Sequence, residues 1–157
     1  MTDPRAAMLA ETLGSTLEEA AFVFAEPEER PSPFAGRTLE ARIGYRGPSA
    51  ADLALVADAT LAATLAANLL GEEEGEATAG RSADALGELL NMVVGAWAVR
   101  LFGEETRCRL GVPRVREVTR AEAAAGPEGA ACAAHLVAEG GRRIDLWLVP
   151  APGDRAP

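Results

Sequence analysis

Apolar residues recur at every fourth position near the start of the chain, which places them along one side of a helix. They are Leu9, Leu13, Leu17 and Ala21. We therefore predict a first helix over residues 5–24. The prolines that come next remove backbone donors and disfavour helix in the residue before each of them. Residues 26–35 are accordingly predicted to be a linker.

The part of the chain after this linker changes from a helical period to a period of two. Thr38–Arg46 alternates strictly between apolar and polar residues, and residues 52–57 carry an apolar residue at alternate positions. The turn residues Gly47-Pro48-Ser49 lie between these runs, so the pattern predicts an antiparallel hairpin. Asp58 is expected to cap a following helix that ends at Gly71.

An acidic, glycine-containing segment over residues 71–80 predicts a loop, and its glutamate run is interpreted as a solvated charge run without metal chemistry. A second long helix is expected from Ser82, a good cap residue, to Phe102. Short strands are expected over residues 107–110 and 115–119.

The last part of the chain predicts a closing hairpin. Residues 131–138 and 143–149 flank Gly140-Gly141, a pair that takes the positive φ angles of a tight turn at low cost. Residues 151–157 are expected to be a frayed tail. The length of 157 residues fits a single domain over 1–157, with its core over residues 36–150.

The helix expected over residues 82–102 has two distinct sides. One arc is apolar and is expected to face the core; it contains Leu86, Leu89, Leu90, Val93, Val94, Trp97 and Leu101. Asp84, Glu88, Asn91 and Gly95 follow one another at spacings of four, three and four, which puts them on nearly the opposite side. We call this predicted helix α3, because it is the third along the chain, and we name these four residues the α3 stripe.

A polar stripe is by itself what any amphipathic helix shows to water. Asn91 and Gly95 need a further reason, because asparagine is a mediocre helix former and a glycine inside a helix costs about 1 kcal/mol relative to alanine. A glycine in line with a carboxylate and a carboxamide leaves bare backbone beside two functional groups. The stripe is therefore interpreted as a docking surface, with Asp84 and Gly95 as partner-binding positions.

Composition excludes several kinds of chemistry. All 15 basic residues are arginine, so no lysine is present for a Schiff base or a P-loop. His135 is the single histidine, and no serine lies in a G-x-S-x-G elbow. Cys108 and Cys132 lack the C-x-x-C spacing of a zinc or redox site, and we expect both to be reduced. No metal site is predicted.

Charge and the N-terminal sequence also restrict the partners. A net charge of −9 argues against nucleic-acid binding, which depends on clustered cations. The N-terminus lacks the pattern of a signal peptide, and the longest apolar stretches fall short of the roughly 18 residues that span a bilayer. We expect no nucleic-acid partner, no membrane partner and a cytoplasmic location.

The spacing Asp84-x3-Glu88-x2-Asn91-x21-Pro113 resembles the signature of the CheC/CheX family of chemotaxis phosphatases. The similarity covers roughly residues 39–115. It implies an α+β, CheC-like domain, in which a long N-terminal helix and a central helix pair pack on a mainly antiparallel sheet. It further implies an enzyme that removes the phosphoryl group from the aspartyl phosphate of a CheY-like response regulator.

The resemblance also assigns roles within the signature. Asn91 matches the asparagine that orients the attacking water, and Glu88 matches the acid that contacts the regulator's lysine. These two are the candidate catalytic residues. Asp84 matches a position where the family accepts aspartate or serine, and a structural role is inferred for Pro113. The chain would bind no cofactor itself, since the magnesium ion is held by the regulator, and a homodimer is implied.

Three alternatives stay open at this point. Ser15-x3-Glu19-x2-Phe22 has the same spacing, but its phenylalanine replaces the asparagine, so it is at most a degenerate second copy. The chain could instead be a non-catalytic receiver-binding or scaffold module. A small-molecule binding domain is a further hypothesis. Away from the signature, His135 is interpreted as a structural histidine and Arg142-Arg143 as a solvated hairpin end.

Overall fold

The computed structural model describes residues 3–71 and 79–152. Within these residues the chain forms one seven-stranded antiparallel sheet and four α-helices, which confirms the predicted α+β class. The helices are α1 (Pro4–Ala21), α2 (Ala59–Leu70), α3 (Ala79–Phe102) and α4 (Arg120–Ala125). The strands are β1 (Ala25–Pro27), β2 (Thr38–Arg46), β3 (Ala50–Asp58), β4 (Arg109–Leu110), β5 (Arg114–Val118), β6 (Cys132–Ala138) and β7 (Arg142–Pro150).

The sheet has the strand order β1-β6-β7-β3-β2, and β4 and β5 share the outer edge of β2. The predicted hairpins are both confirmed: β2 pairs with β3 from Thr38 opposite Asp58 to Arg46 opposite Ala50, and β6 pairs with β7. Gly140 and Gly141 make the second turn with φ angles of 80° and 73°. One face of the sheet carries α1, α2 and α3.

The core lies between these three helices and the sheet. The predicted apolar side of α1, Leu9 to Ala21 at every fourth residue, is fully buried, and the inward residues of β2 and β3 are at most 7% exposed. α3 packs against α2, β2 and α1. Trp97 is fully buried and donates its Nε1–H to the Tyr45 hydroxyl on β2 at 3.0 Å. This bond joins α3 to the sheet.

The first helix is shorter than predicted. Part of the predicted linker forms a strand. α1 ends at Ala21 because Phe22 turns into the left-handed region with φ 54°, and the backbone N–H of Val23 then bonds the Leu17 carbonyl at 3.0 Å. Within the expected linker over 26–35, residues 25–27 form β1 and pair with β6. A proline is tolerated there because β1 is an edge strand.

Two predicted helix caps are wrong. Asp58 precedes α2 but its carboxylate makes no cap; it accepts instead from the backbone N–H groups of Ala35 at 3.2 Å and Arg143 at 3.0 Å. α3 begins at Ala79, so Ser82 lies inside the helix and is buried. The predicted end of α2 is confirmed, since Gly71 has φ 71°. The expected loop over 71–80 and the tail over 151–157 lie largely outside the described residues.

The other face of the sheet is partly covered by a short helix that the sequence did not suggest. α4 begins with a capping box, in which the Thr119 hydroxyl accepts from the Glu122 N–H and the Glu122 carboxylate accepts from the Thr119 N–H, both at 3.1 Å. This backbone donor, together with the guanidinium of Arg116, lowers the pKa of Glu122. Ala123 then packs with Phe34 in a second small apolar cluster.

Arg142-Arg143 is not a solvated hairpin end, contrary to the prediction. Arg143 donates two hydrogen bonds to Asp145, at 3.0 and 2.8 Å, and its guanidinium lies 4.4 Å from the centre of the Phe34 ring. Asp145 is fully buried. Arg142 donates to the Thr64 hydroxyl at 2.6 Å. Both arginines therefore fix the β7 end to neighbouring elements.

The long helix α3 also corrects the expectation that no apolar stretch reaches membrane-spanning length. Among the described residues, Gly80–Phe102 is long and apolar enough to cross a bilayer by length and composition. Half of the most apolar 18-residue stretch of this helix is buried inside the molecule. The apolar side of α3 is thus used for packing in the core, which is what a buried helix of a globular protein requires.

Candidate functional site

The α3 stripe points away from the core. Asp84, Glu88 and Asn91 are exposed and Gly95 is half-buried, whereas the opposite arc of the helix is fully buried from Leu86 to Trp97. Leu101, which was predicted to belong to that arc, is 36% exposed near the end of the helix and is the exception. The arrangement puts an acid and a carboxamide on neighbouring turns of a helix backed by the core.

The three side chains of the stripe are free to meet a partner. Within residues 3–71 and 79–152, nothing hydrogen-bonds or ion-pairs with the side chains of Asp84, Glu88 or Asn91. A Cβ built on Gly95 would meet nothing within 4 Å, so the backbone there is open on the side of the stripe. From Asp84 to Asn91 the stripe extends about 10 Å along the helix axis.

The helix that carries the stripe is firmly held at its C-terminal half. Besides the bond from Trp97 to Tyr45, the Phe102 ring contacts the Tyr45 ring edge-on at 6.1 Å. The guanidinium of Arg100 bonds the Glu11 carboxylate on α1 at 3.1 Å. Such contacts fix the direction in which the exposed residues project, which matters for a group that has to position a reactant.

Gly87, to which the sequence pattern assigned no role, has a specific role beside the site. A Cβ on Gly87 would lie 3.4 Å from Cβ of Pro113 and 3.6 Å from Cγ2 of Val115. Gly87 therefore lets the segment between β4 and β5 approach α3 next to Glu88. The available signal was a second glycine inside the same predicted helix. Gly95, which was given the role of admitting a close approach, makes no such contact within the described chain.

The segment that reaches α3 is a β-bulge. Leu110 pairs with Tyr45 and Arg114 pairs with Arg42, so residues 111–113 stand opposite only two residues of β2. The N–H of Gly111 bonds the Gly44 carbonyl at 2.8 Å. Pro113 then packs on Gly87, and the signature's distant proline is in this way brought to the helix that carries its other members.

The Ser15, Glu19 and Phe22 spacing does not form a second stripe. Phe22 lies past the end of α1 in the left-handed region and is 75% exposed, so the three residues do not share one helical face. The absence of a carboxamide and the absence of a common face both argue against a second site there.

Other surface features lie apart from α3. Two clefts, of about 900 and 1210 Å³, are lined by the sheet end near Arg46 and Arg109 and by the α1–β6 side near His135. Neither includes a residue of the α3 stripe. In the described part of the chain, no group of three histidine, cysteine or acidic residues is placed to hold a metal ion. The stripe is thus an open surface, suited to a macromolecule.

An antiparallel sheet with an N-terminal helix and a helix pair on one face is the CheC-like fold, which a CheC-like superfamily protein from Shewanella sp. PV-4 shares with a TM-score of 0.63. Its identity is 18%, over 94% of this chain and 99% of that one. The family model described as chemotaxis phosphatase CheX matches residues 39–133, which is more than half of the chain. The chain therefore belongs to the CheX family.

Solved structures agree on the fold. The chemotaxis protein CheX from Vibrio vulnificus matches with a TM-score of 0.67 and 20% identity, over 93% of this chain and 97% of that one. The CheX of a CheX–CheY–BeF3–Mg²⁺ complex from Borrelia burgdorferi matches with a TM-score of 0.67 and 17% identity, over 92% and 96%. A comparison with curated protein sequences finds no match.

Proposed function

We propose that this chain is a phosphatase that hydrolyses the aspartyl phosphate of a CheY-like response regulator. Membership of a family of chemotaxis phosphatases supports the reaction class. A similar structure in complex with CheY supports the kind of partner. The observation that carries the assignment to residues is the outward, unpartnered pair of Glu88 and Asn91 on a helix backed by the core.

Asn91 is proposed to orient the attacking water. In this reaction the water oxygen forms a bond to phosphorus while the bond to the aspartyl oxygen breaks, leaving its electron pair on the carboxylate. A proton of the water leaves with the product phosphate. A carboxamide suits the positioning task because its oxygen accepts from water, its NH2 donates to a phosphoryl oxygen, and it stays neutral.

Glu88 is proposed to bind the regulator's lysine and so to fix the helix on its partner. It precedes Asn91 by three residues on the same side of α3, so an ion pair at Glu88 would aim Asn91 at the phosphoryl group. Asp84 and Gly95 lie at the two ends of the stripe. We propose that they contact the regulator without taking part in the chemistry.

The remaining parts of the reaction belong to the regulator. The phosphorylated aspartate, the lysine and the magnesium ion would all be supplied by it, so this chain is proposed to work without a cofactor of its own. The proposal includes a cytoplasmic location. A homodimer stays a prediction from the family resemblance, and sedimentation of the full chain would test it.

The decisive experiment measures loss of phosphate from a CheY-like receiver domain of the same organism, phosphorylated with acetyl phosphate and Mg²⁺. The chain is added in amounts well below the receiver. Asn91→Ala is expected to lower kcat by about a hundred- to a thousandfold, the usual effect of removing one well-placed transition-state contact. Glu88→Ala is expected to raise KM as well as lower kcat.

Two controls separate chemistry from folding. Asn91→Ala should leave the thermal midpoint unchanged or slightly raised, because Asn91 is exposed and hydrogen-bonds no described residue, and alanine is the better helix former. Glu19→Ala makes a matched change at an exposed glutamate of α1 and should leave the rate unaltered. If Asn91→Ala acts as fast as the wild type, the assignment is wrong. Effects only at equimolar protein would instead support the scaffold alternative.

A further inference from the structure

The sheet face opposite α3 carries a cleft of about 900 Å³ at the end where β2 finishes. On β2, Ile43 and Tyr45 are buried in the core between the sheet and the helices. Arg42, Gly44 and Arg46 alternate with them and therefore point to the opposite face. All three line the cleft, so it is a surface feature separate from the α3 stripe.

The loop after α4 forms the other wall of this cleft. A Cβ on Gly129 would lie 3.9 Å from Cγ1 of Val149 on β7, so the loop packs on the sheet. Val149 stands opposite Asp52, and Asp52 stands opposite Gly44, which places the three residues on one face. The space between the loop and β2 is within the range of about 300–1,000 Å³ that small-molecule sites occupy.

The floor of the cleft depends on a glycine. A Cβ on Gly44 would lie 2.9 Å from Oδ1 of Asp52, which is closer than real Cβ contacts allow. The missing side chain lets the Asp52 carboxylate approach β2, where it accepts from Nε of Arg42 at 2.7 Å. Arg5, which also lines the cleft, has an acid of its own, since it bonds Asp3 at 2.9 Å. The charges of Arg42 and Arg5 are therefore already compensated.

Arg46 and Arg109 are the arginines of the cleft that lack such an acid. Both are exposed, and within residues 3–71 and 79–152 no carboxylate pairs with either of them. They stand directly opposite each other on β2 and β4, where side chains start about 4.5–5.5 Å apart and like charges are unfavourable. A single anion between the two guanidinium groups would replace this repulsion by attraction.

Protection of the sheet edge is the competing explanation for these arginines, because edge strands often carry charges that prevent aggregation. It fits Arg109 on the edge strand β4. It does not fit Arg46, because β2 lies between β3 and β4 inside the sheet. Among the described residues, four arginines and two acids line the cleft, whereas the whole chain has 15 basic and 24 acidic residues. The cleft is therefore a local concentration of positive charge.

We propose that this cleft binds a small molecule that carries a phosphate group, and that Arg46 and Arg109 hold this group between them. The planar guanidinium group of arginine suits phosphate because it donates two parallel hydrogen bonds to the phosphate oxygens. The remainder of the molecule would lie over Gly44, between β2 and the loop that contains Gly129. The cleft does not include the α3 stripe, so the inference goes beyond the proposed function and does not depend on it.

Isothermal titration calorimetry of the full chain tests the site, with ADP as the phosphate-bearing probe and adenosine as the probe without phosphate. ADP is expected to bind and adenosine is not. Arg46→Gln and Arg109→Gln should each raise the Kd for ADP by about tenfold or more, because each removes charge-assisted hydrogen bonds. Neither side chain bonds another described residue, so both variants should fold, and their Tm without ligand should equal or exceed that of the wild type.

Arg114→Gln is the matched control. Arg114 is exposed on the same face, opposite Arg42, but does not line the cleft, so its loss should change the Kd by about twofold or less. Absence of ADP binding, or equal weakening by all three variants, would overturn the proposal. So would binding to phosphatidylglycerol vesicles without binding of ADP, because it would assign the phosphate group to a lipid headgroup. Asn91→Ala should bind ADP like the wild type, which keeps this result separate from the phosphatase assay.

Discussion

Replacing Arg143 by methionine is expected to destabilise the domain by about 3–5 kcal/mol, because it leaves a buried carboxylate without its main partner. Asp145 has no solvent exposure, and Arg143 itself is only 11% exposed while it donates two hydrogen bonds to that carboxylate. Methionine keeps an unbranched stem beside Phe34, so the change removes mainly the charge.

The neighbouring histidine does not replace the lost arginine. His135 Nδ1 lies 3.0 Å from Oδ1 of Asp145, but its orientation does not make a hydrogen bond, and the same oxygen already accepts from Arg143. We therefore count the full cost of a broken buried pair. For a chain of this size it corresponds to a fall in Tm of about 6–20 °C.

Equilibrium urea unfolding, followed by circular dichroism, measures the change in free energy. The double variant Arg143→Met with Asp145→Val removes the carboxylate as well, and it should recover most of the loss, since apolar replacements of buried pairs are often neutral or better. Arg37→Met is the matched control: its pair with Glu117 at 3.1 Å is more than half exposed on both sides, and losing it should change the free energy of unfolding far less than losing the buried pair. A cost for Arg143→Met no larger than this control would refute the reasoning.

Three further outcomes are expected. Tyr45→Phe leaves the buried Trp97 N–H without its acceptor and should cost about 1–3 kcal/mol in urea unfolding; an unchanged midpoint would contradict the link between α3 and β2. Gly126→Ala should cost about 2–4 kcal/mol, because the φ of 72° and ψ of 174° suit only glycine and the new Cβ would lie 2.5 Å from the Trp147 ring; wild-type stability would show that the ring moves freely. The pKa of Glu122 is lowered in the folded state, so its ionised carboxylate stabilises the fold at pH values above its ordinary pKa of 4.5. This contribution is lost as the pH falls through the lower pKa of the folded state. The difference in Tm between wild type and Glu122→Gln should therefore be largest near pH 7 and vanish in strong acid.

Local periodicity predicted the elements whose pattern is set by one buried face. β2 has the predicted bounds, and the outward side of α3 was correct because both depend only on the period of the element. β1 was missed because three residues with a proline carry no period. α4 was missed because Arg120–Ala125 has no apolar stripe and is held by its cap and by Ala123.

The contacts that complete the candidate site could not be read from the sequence. The approach of Pro113 to Gly87 joins residues far apart in the chain, and it depends on β4 and β5 sharing the edge of β2 with a bulge between them. The pairing of Arg143 with Asp145 could not be predicted for a related reason. What encloses that pair is Phe34, from a segment whose path over the sheet has no periodic signal.

Among the described residues, the side chains expected to carry out the reaction or to contact the regulator make no hydrogen bond or ion pair with the rest of the domain. Asp84, Glu88 and Asn91 form no hydrogen bond within the described chain, whereas the opposite side of the same helix is buried in the core. Natural variation can therefore exchange them one at a time without unfolding the scaffold. A lineage that no longer needs the reaction would keep an intact domain, ready for reuse as a structural part.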